Sequence, residues 1–112
     1  MGTDSVCYLT TTGRRSGRPH RIEIWFLERG DAVYLFSGGG ERSDWVRNLQ
    51  REPHVDLELP GRPSQRYSAS VVKDADDGLR REMDVKYYAT DPGEHITEWA
   101  RDSTVVRLTP LA

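Results

Sequence analysis

Four arginines lie within eight residues near the start of the chain, beside two glycines and several hydroxyl side chains, in the stretch TTTGRRSGRPHR from Thr10 to Arg21. Glycines let backbone N–H groups approach a ligand, and guanidinium groups form charge-assisted hydrogen bonds to phosphate or carboxylate. The stretch therefore predicts an anion-binding loop. A solvated basic hairpin tip with turn glycines fits the same composition equally well, and the Gly-Lys-Ser/Thr ending of a Walker motif is missing.

A second motif, Ser37 followed by three glycines, leads from a predicted strand into a predicted helix. The N–H groups of a first helical turn lack partners within the helix, and the helix dipole favours negative charge there, so this arrangement is typical of phosphate binding. Trp45 and Asn48 are one turn apart on the helix, which would place both against one ligand. For Trp45 the favoured role is core packing, with the indole N–H still available to a ligand. For Asn48 the alternative is a cap or a solvated side chain.

The elements that must position these motifs are mainly strands. Alternating and β-branched patterns predict six of them, at residues 5–12, 20–27, 32–37, 54–59, 65–73 and 104–109. Most of the turns between them are too short for a parallel crossover. We therefore expect a mainly β (α+β) fold, a six-stranded antiparallel barrel with helices at its edges.

Three helices are predicted around this barrel. The first carries Trp45, has Ser43 as its N-cap and ends before Pro53. The second covers residues 76–88, where apolar side chains recur every four residues. The third runs from residue 91 through Trp99, opened by an Asp-Pro-x-Glu capping box.

Length and charge exclude several classes of protein. A chain of 112 residues fits one domain, residues 1–112, and its net charge of −2 with a pI of about 5.9 disfavours nucleic-acid binding. No apolar run approaches the roughly 20 residues that span a bilayer, and no export signal opens the chain, so a cytoplasmic location without a transmembrane segment is expected. The single cysteine, Cys7, is expected to be a buried hydrophobe on a strand.

Taken together, the two motifs resemble a known family. TTTGRRSGRPH, followed by a hairpin and then by SGGGERSDWVRNLQREPHV, is similar to the deazaflavin-dependent nitroreductase and quinone reductase family, which uses coenzyme F420. The likeness covers residues 9–55 and continues more weakly through Trp99 and residues 104–108. It implies a split β-barrel like that of domains that bind flavin mononucleotide (FMN).

The resemblance also implies which residues contact the cofactor. Residues 14–20 would hold its phosphate and its acidic oligoglutamate tail, with Arg15 and His20 at positions where the family uses basic side chains. Ser37 and the next two glycines would approach the ring and phosphate by backbone N–H. The glycine loop is one residue short and lacks a lysine, for which Arg42 is a candidate. The implied cofactor-binding set is Thr11, Thr12, Arg14, Arg15, Ser16, Gly17, Arg18, Pro19, His20, Ser37, Gly38, Gly39, Arg42, Trp45 and Asn48.

The implied reaction is hydride transfer from reduced F420 to a small electron-poor acceptor such as a quinone, a nitro compound or an activated enone. The cofactor carries this chemistry, so no catalytic nucleophile or general-base dyad is expected. The histidines His20, His54 and His95 lack metal-ligand spacing. The implied substrate pocket consists of Trp25, Tyr87, Tyr88 and Trp99.

Three further expectations accompany this hypothesis. Nitroreductases of the family carry tyrosines in the segment that corresponds to residues 90–96, and this chain has none there, so reduction of drug-like nitro compounds is not expected. The chain also lacks the N-terminal helical extension of some relatives, which would leave a surface for a homodimer. The alternatives are an FMN-binding oxidoreductase and a non-catalytic ligand carrier of the same fold.

Overall fold

In the computed structural model, which describes residues 6–88 and 96–111, seven strands form one antiparallel sheet. They are β1 (Cys7–Thr12), β2 (Pro19–Ile24), β3 (Phe26–Arg29), β4 (Ala32–Ser37), β5 (His54–Glu58), β6 (Gln65–Val72) and β7 (Thr104–Pro110). Their spatial order is β2-β1-β5-β6-β7-β4-β3. The two edge strands are consecutive in the chain, so the sheet must curl until its edges approach each other. This is the mainly β, barrel-like architecture expected from the sequence.

The expected number of six strands is wrong, because the strand predicted over residues 20–27 is two strands. Its first half pairs with β1, placing Ile24 opposite Cys7, and its second half pairs with β4, placing Phe26 opposite Leu35. Trp25 lies between the two ladders. Ile24 and Phe26 nevertheless contact the same core, so the apolar alternation continues across the break and conceals it.

Three helices accompany the sheet, α1 (Asp44–Arg51), α2 (Asp77–Tyr88) and α3 (Glu98–Asp102). Ser43 occupies the N-cap position of α1, as predicted, but its side chain makes no hydrogen bond to the helix backbone. The helix that carries Trp99 begins at Glu98, and Thr97 caps it by accepting a hydrogen bond from the Ala100 N–H. The predicted capping box at residues 91–94 lies outside the described residues.

The described helices include none that is both long and apolar enough to cross a membrane.

The core consists of two clusters. One fills the interior of the curled sheet, and the other lies where α2 and α3 cover β4 and β7. Cys7 is fully buried in the first cluster, which confirms its predicted role. Trp45 is partly buried and contacts the same cluster, and α1 packs against β1 and β6 of the barrel. The second cluster includes Phe36, Met83 and Ala100.

Candidate functional site

The arginine-rich segment forms a tight loop between β1 and β2. The Gly13 N–H donates to the Arg18 carbonyl oxygen at 2.8 Å, and the Gly17 N–H donates to the Gly13 carbonyl oxygen at 2.9 Å. Gly17 has φ +72°, a conformation that favours glycine. A Cβ atom on Gly13 would lie 2.7 Å from both His20 Nε2 and Ser16 Oγ. The backbone conformation therefore favours glycine at residue 17, and Gly13 leaves the space that the ends of the His20 and Ser16 side chains occupy.

Asn48 joins this loop to α1. Its Oδ1 accepts hydrogen bonds from the Arg14 backbone N–H at 3.2 Å and from Arg14 Nη1 at 2.9 Å, while its Nδ2 donates to Thr11 Oγ1 at 3.1 Å. The side chain is only 4% exposed. Arg14 also pairs with Asp44, with 3.1 Å between Nη2 and Oδ1. Asn48 therefore fixes the first half of the loop and the direction of Arg14.

The loop and α1 enclose a basic cavity of about 550 Å³. Its lining includes the predicted residues Thr11, Arg14, Arg15, Ser16, His20, Trp45 and Asn48, together with Gly13, Ile22 and Asp44. Arg15 is exposed and forms no ion pair with any described residue. Arg21, by contrast, pairs with Glu58 at 3.4 Å and lies over the Tyr8 ring. Of the two guanidinium groups in the cavity lining, that of Arg14 is paired with Asp44, so Arg15 is the one whose charge is available to a ligand.

The predicted residues of the glycine loop do not line this cavity. Ser37 is buried, and its Oγ donates to the Gly40 carbonyl oxygen at 2.9 Å and lies 2.6 Å from Ser43 Oγ. Gly38 lies against an aromatic side chain instead, since a Cβ there would be 3.2 Å from Trp99 Nε1. Arg42 is exposed on a short 3-10 turn. The structure therefore brings the glycine loop to the aromatic residues and not to the arginines.

Three of the four residues predicted for the substrate pocket form one aromatic cluster. Trp25 stacks on Tyr87, with centroids 4.4 Å apart and planes 6° apart, and meets Trp99 edge-on at 5.4 Å. Phe36 stacks on Trp99 at 5.5 Å and extends the cluster. A cavity of about 360 Å³ opens beside it, lined by Val6, Glu23, Ile24, Trp25, Phe36 and Trp99. The side chain of Tyr88 lies outside the part of the chain that the structure describes.

Tyr87 fixes the backbone at the junction between β2 and β3. Its hydroxyl accepts a hydrogen bond from the Phe26 N–H and donates one to the Phe26 carbonyl oxygen, both at 2.9 Å. Burial raises the pKa of the Tyr87 hydroxyl to about 12, so the hydroxyl keeps its proton at an alkaline pH where an ordinary tyrosine ionises. Lys86 Nζ donates to the same carbonyl and lies over the Phe26 ring, and burial lowers its pKa. These contacts fix Trp25, which directly precedes Phe26.

A buried carboxylate that the sequence analysis missed positions the other side of the cluster. Asp84 on α2 is 1% exposed and accepts hydrogen bonds from the Thr97 N–H at 2.8 Å and from Thr97 Oγ1 at 2.7 Å. It thereby ties α2 to the start of α3, which carries Trp99. The only sequence signal is an acidic residue directly after the apolar Met83, which does not reveal a partner 13 residues away.

The two cavities share no lining residue, but both are lined by residues of β2. Ile22 lines the basic cavity and Ile24 lines the aromatic one. Alternate residues of a strand lie on the same face, about 7 Å apart. An elongated ligand with an anionic end and an aromatic end can therefore reach both cavities along one strand.

The histidines are separated. His20 lines the basic cavity, His54 lies 3.6 Å from Glu52, and His95 lies outside the described residues. Within the described ranges, no three His, Cys, Asp or Glu side chains are grouped as metal ligands would be.

Comparison with solved structures shows the fold. HutZ, a haem storage protein from Vibrio cholerae, superposes with a TM-score of 0.72 at 18% identity, covering 97% of this chain and 83% of that one. An F420 reductase gives 0.67 at 18% identity, with 97% and 88% covered, and the F420H2-dependent reductase FDR-A gives 0.63 at 17% identity, with 93% of each chain covered.

The sequence itself decides the family. The model of one family, described as F420H(2)-dependent quinone reductase, matches residues 1–109, which is nearly the whole chain. The match includes both motifs and the strands between them. This chain therefore belongs to the F420H(2)-dependent quinone reductase family.

Proposed function

We propose that this protein is an F420H2-dependent reductase of small electron-poor acceptors, with quinones as the first class to test. The observation that carries the proposal is the pair of cavities along β2, one basic and one aromatic. When bound, the reduced cofactor supplies a hydride to the acceptor, while the protein contributes position and electrostatics. Family membership supports the same function.

The residues of the basic cavity suit the anionic part of F420. Arg15 offers a guanidinium with no ion pair among the described residues, which fits phosphate and carboxylate groups. Arg14 lies beside it in a direction set by Asn48 and Asp44. Gly13 lines the same cavity and leaves space for the ends of the His20 and Ser16 side chains. We propose that these groups hold the phosphate and the first carboxylates.

The aromatic cavity suits a flat acceptor beside the deazaflavin ring. Trp25, Phe36 and Trp99 supply the aromatic part of its lining, and Gly38 lies against the edge of Trp99 and so helps to fix that ring. Tyr87 is committed to the Phe26 backbone, so its role is to hold Trp25 in place. The cytoplasmic location and the homodimer expected from the sequence stay predictions.

The test is a fluorescence titration of the purified protein with F420 and, in parallel, with FMN at the same ionic strength. We expect saturable binding of F420 and weaker binding of FMN. Arg15→Gln should weaken F420 binding about fivefold, the size expected for a solvent-accessible charged contact. Arg18→Gln is the matched control: the resemblance implies a cofactor contact for Arg18 too, but this residue, exposed on the same loop, does not line the basic cavity.

The outcomes separate the alternatives. Selective binding of FMN would favour a flavin enzyme of the same fold. Binding of F420 without reduction of any quinone, enone or nitro compound would favour a carrier. Equal losses for the two arginine variants would place the anion outside the basic cavity.

A further inference from the structure

The helix α2 binds both ends of the short helix α3. Arg80 Nη1 donates hydrogen bonds to the carbonyl oxygens of Ala100 and Ser103, the second at 3.1 Å, where α3 ends. Asp84, one turn later on α2, accepts hydrogen bonds from the N–H and the hydroxyl of Thr97, where α3 begins. A cation therefore lies at the C-terminus of α3 and an anion at its N-terminus, which matches the helix dipole and the unpaired backbone groups at each end.

These contacts are needed because α3 is too short to be stable by itself. It has five residues, Glu98–Asp102, and isolated helices of that length do not persist in water. Trp99 lies between the two bonded ends, and its carbonyl oxygen accepts hydrogen bonds from the Ser103 N–H, at 3.0 Å, and from the Ser103 hydroxyl. Because Ser103 is bonded in turn to Arg80, contacts from α2 fix the position of Trp99.

The same helix fixes the other tryptophan of the aromatic cavity. The Tyr87 hydroxyl bonds both backbone groups of Phe26, and the Tyr87 ring stacks on Trp25. The ring centroids of Trp25 and Trp99 are 5.4 Å apart, and both residues line the cavity of about 360 Å³. The separation of these two walls therefore depends on three side chains of α2 that are spread over about two helical turns.

We infer that Arg80 and Asp84 are positioning residues that limit the size of the acceptor, because they hold Trp99 at a fixed place relative to Trp25; the inference rests on the proposed function. Neither residue lines the aromatic cavity, so both act through α3 and not on the acceptor itself. A cavity with fixed walls binds an acceptor that fits without rearrangement and disfavours one that must displace a wall.

The experiment compares two acceptors with the same ring and different bulk, a benzoquinone with two methyl groups and the same benzoquinone with two tert-butyl groups. Arg80→Met removes the guanidinium and keeps an apolar stem. Arg81→Met is its matched control, because Arg81 is the next residue of α2, is exposed and, within the described residues, forms no side-chain bond to α3. Since Asp84 is buried, its contact is tested from the other side: Thr97→Val removes the hydroxyl that Asp84 binds, and Thr97→Ser keeps it.

Four quantities are measured for the unaltered protein and the four variants. They are kcat/KM for each quinone with reduced F420, the Kd for F420, the free energy of unfolding in urea, and the near-UV circular dichroism, which reports on the packing of the aromatic rings. A merely structural role of Arg80 would lower the free energy of unfolding and leave the ratio of the two kcat/KM values unchanged.

We expect the unaltered protein to prefer the methyl quinone. Arg80→Met and Thr97→Val should reduce that preference about fivefold or more and alter the dichroism, while the Kd for F420 stays unchanged. Arg81→Met and Thr97→Ser should keep both the preference and the dichroism. An unaltered preference in Arg80→Met and Thr97→Val, or equal rates with the two quinones in the unaltered protein, would overturn the inference and leave the proposed function standing. Reduction of neither quinone by the unaltered protein would overturn both.

Discussion

At the scale of single residues, Asn48 determines the shape of the basic cavity because it connects three pieces of backbone. It is buried, and its side chain bonds Thr11 on β1 and Arg14 on the loop. Asn48→Ala removes these bonds and leaves buried polar groups without partners, which costs about 1–3 kcal/mol. We expect urea unfolding to show a loss of that size, and F420 binding to weaken as the loop loosens.

Gln50→Ala provides the comparison for this prediction. Gln50 lies on the same helix and also makes a side-chain hydrogen bond, to Glu41 at 3.2 Å, but it is exposed. Loss of this hydrogen bond should lower the free energy of unfolding by less than about 0.5 kcal/mol. Similar losses of unfolding free energy for the two variants would mean that Asn48 contributes only as a residue of α1 and not through its bonds to Thr11 and Arg14.

Residue types in the sequence predicted the basic character of the loop better than the role of each side chain. Glycines and arginines at residues 13–18 indicate a tight basic loop, and the anion that it would hold stays a prediction. Whether Asn48 faces a ligand or holds Arg14 depends on a partner 34 residues away, which local spacing does not reveal. The same holds for Arg21, whose charge is paired with Glu58 on another strand.

At the scale of elements, the break between β2 and β3 places Trp25 at the aromatic cavity. The residue lies between two ladders, stacked on Tyr87 and edge-on to Trp99. Trp25→Leu should lower kcat/KM for a quinone about tenfold through lost stacking, while the Kd for F420 changes little. Steady-state kinetics with the quinone varied, together with the F420 titration, measure the two quantities.

Tyr34→Leu is the control for Trp25, since Tyr34 is also a partly buried aromatic residue on a strand but does not line the aromatic cavity. Its kcat/KM should stay near that of the unaltered enzyme. A parallel loss of cofactor affinity and turnover in Trp25→Leu would show that the residue supports the cofactor and not the acceptor.

The hairpin turns and the antiparallel direction of the strands that they join were predictable from the sequence, because turn residues and alternation are local signals. The strand break at Trp25 was not. Ile22, Ile24 and Phe26 alternate without interruption, and only pairing with β1 on one side and β4 on the other separates them. The curl of the sheet is therefore a tertiary property that alternation along one strand does not encode.

At the scale of the whole molecule, the curled sheet encloses a small core. Burial of a titratable group in that core makes the free energy of unfolding fall at alkaline pH. Cys7 is fully buried in that core, and burial raises the pKa of its thiol from 9.0 to about 12. The folded state therefore keeps the proton at a pH where the unfolded chain loses it. The resulting stabilisation is complete below about pH 9 and is lost as the pH rises from there toward 12.

Measuring the free energy of unfolding by urea at about pH 8 and about pH 10 tests this dependence. One unit above the pKa of the unfolded thiol, the expected contribution of Cys7 to the loss is about 1.4 kcal/mol. Cys7→Ala should lack that contribution, whatever its stability at about pH 8, because it has no thiol to titrate. The buried Tyr87 hydroxyl is present in both proteins, so its effect at about pH 10 is the same in each. An equal pH dependence in the two proteins would mean that the thiol reaches water in the folded state, and hence that the curled sheet opens at the end where β1 begins.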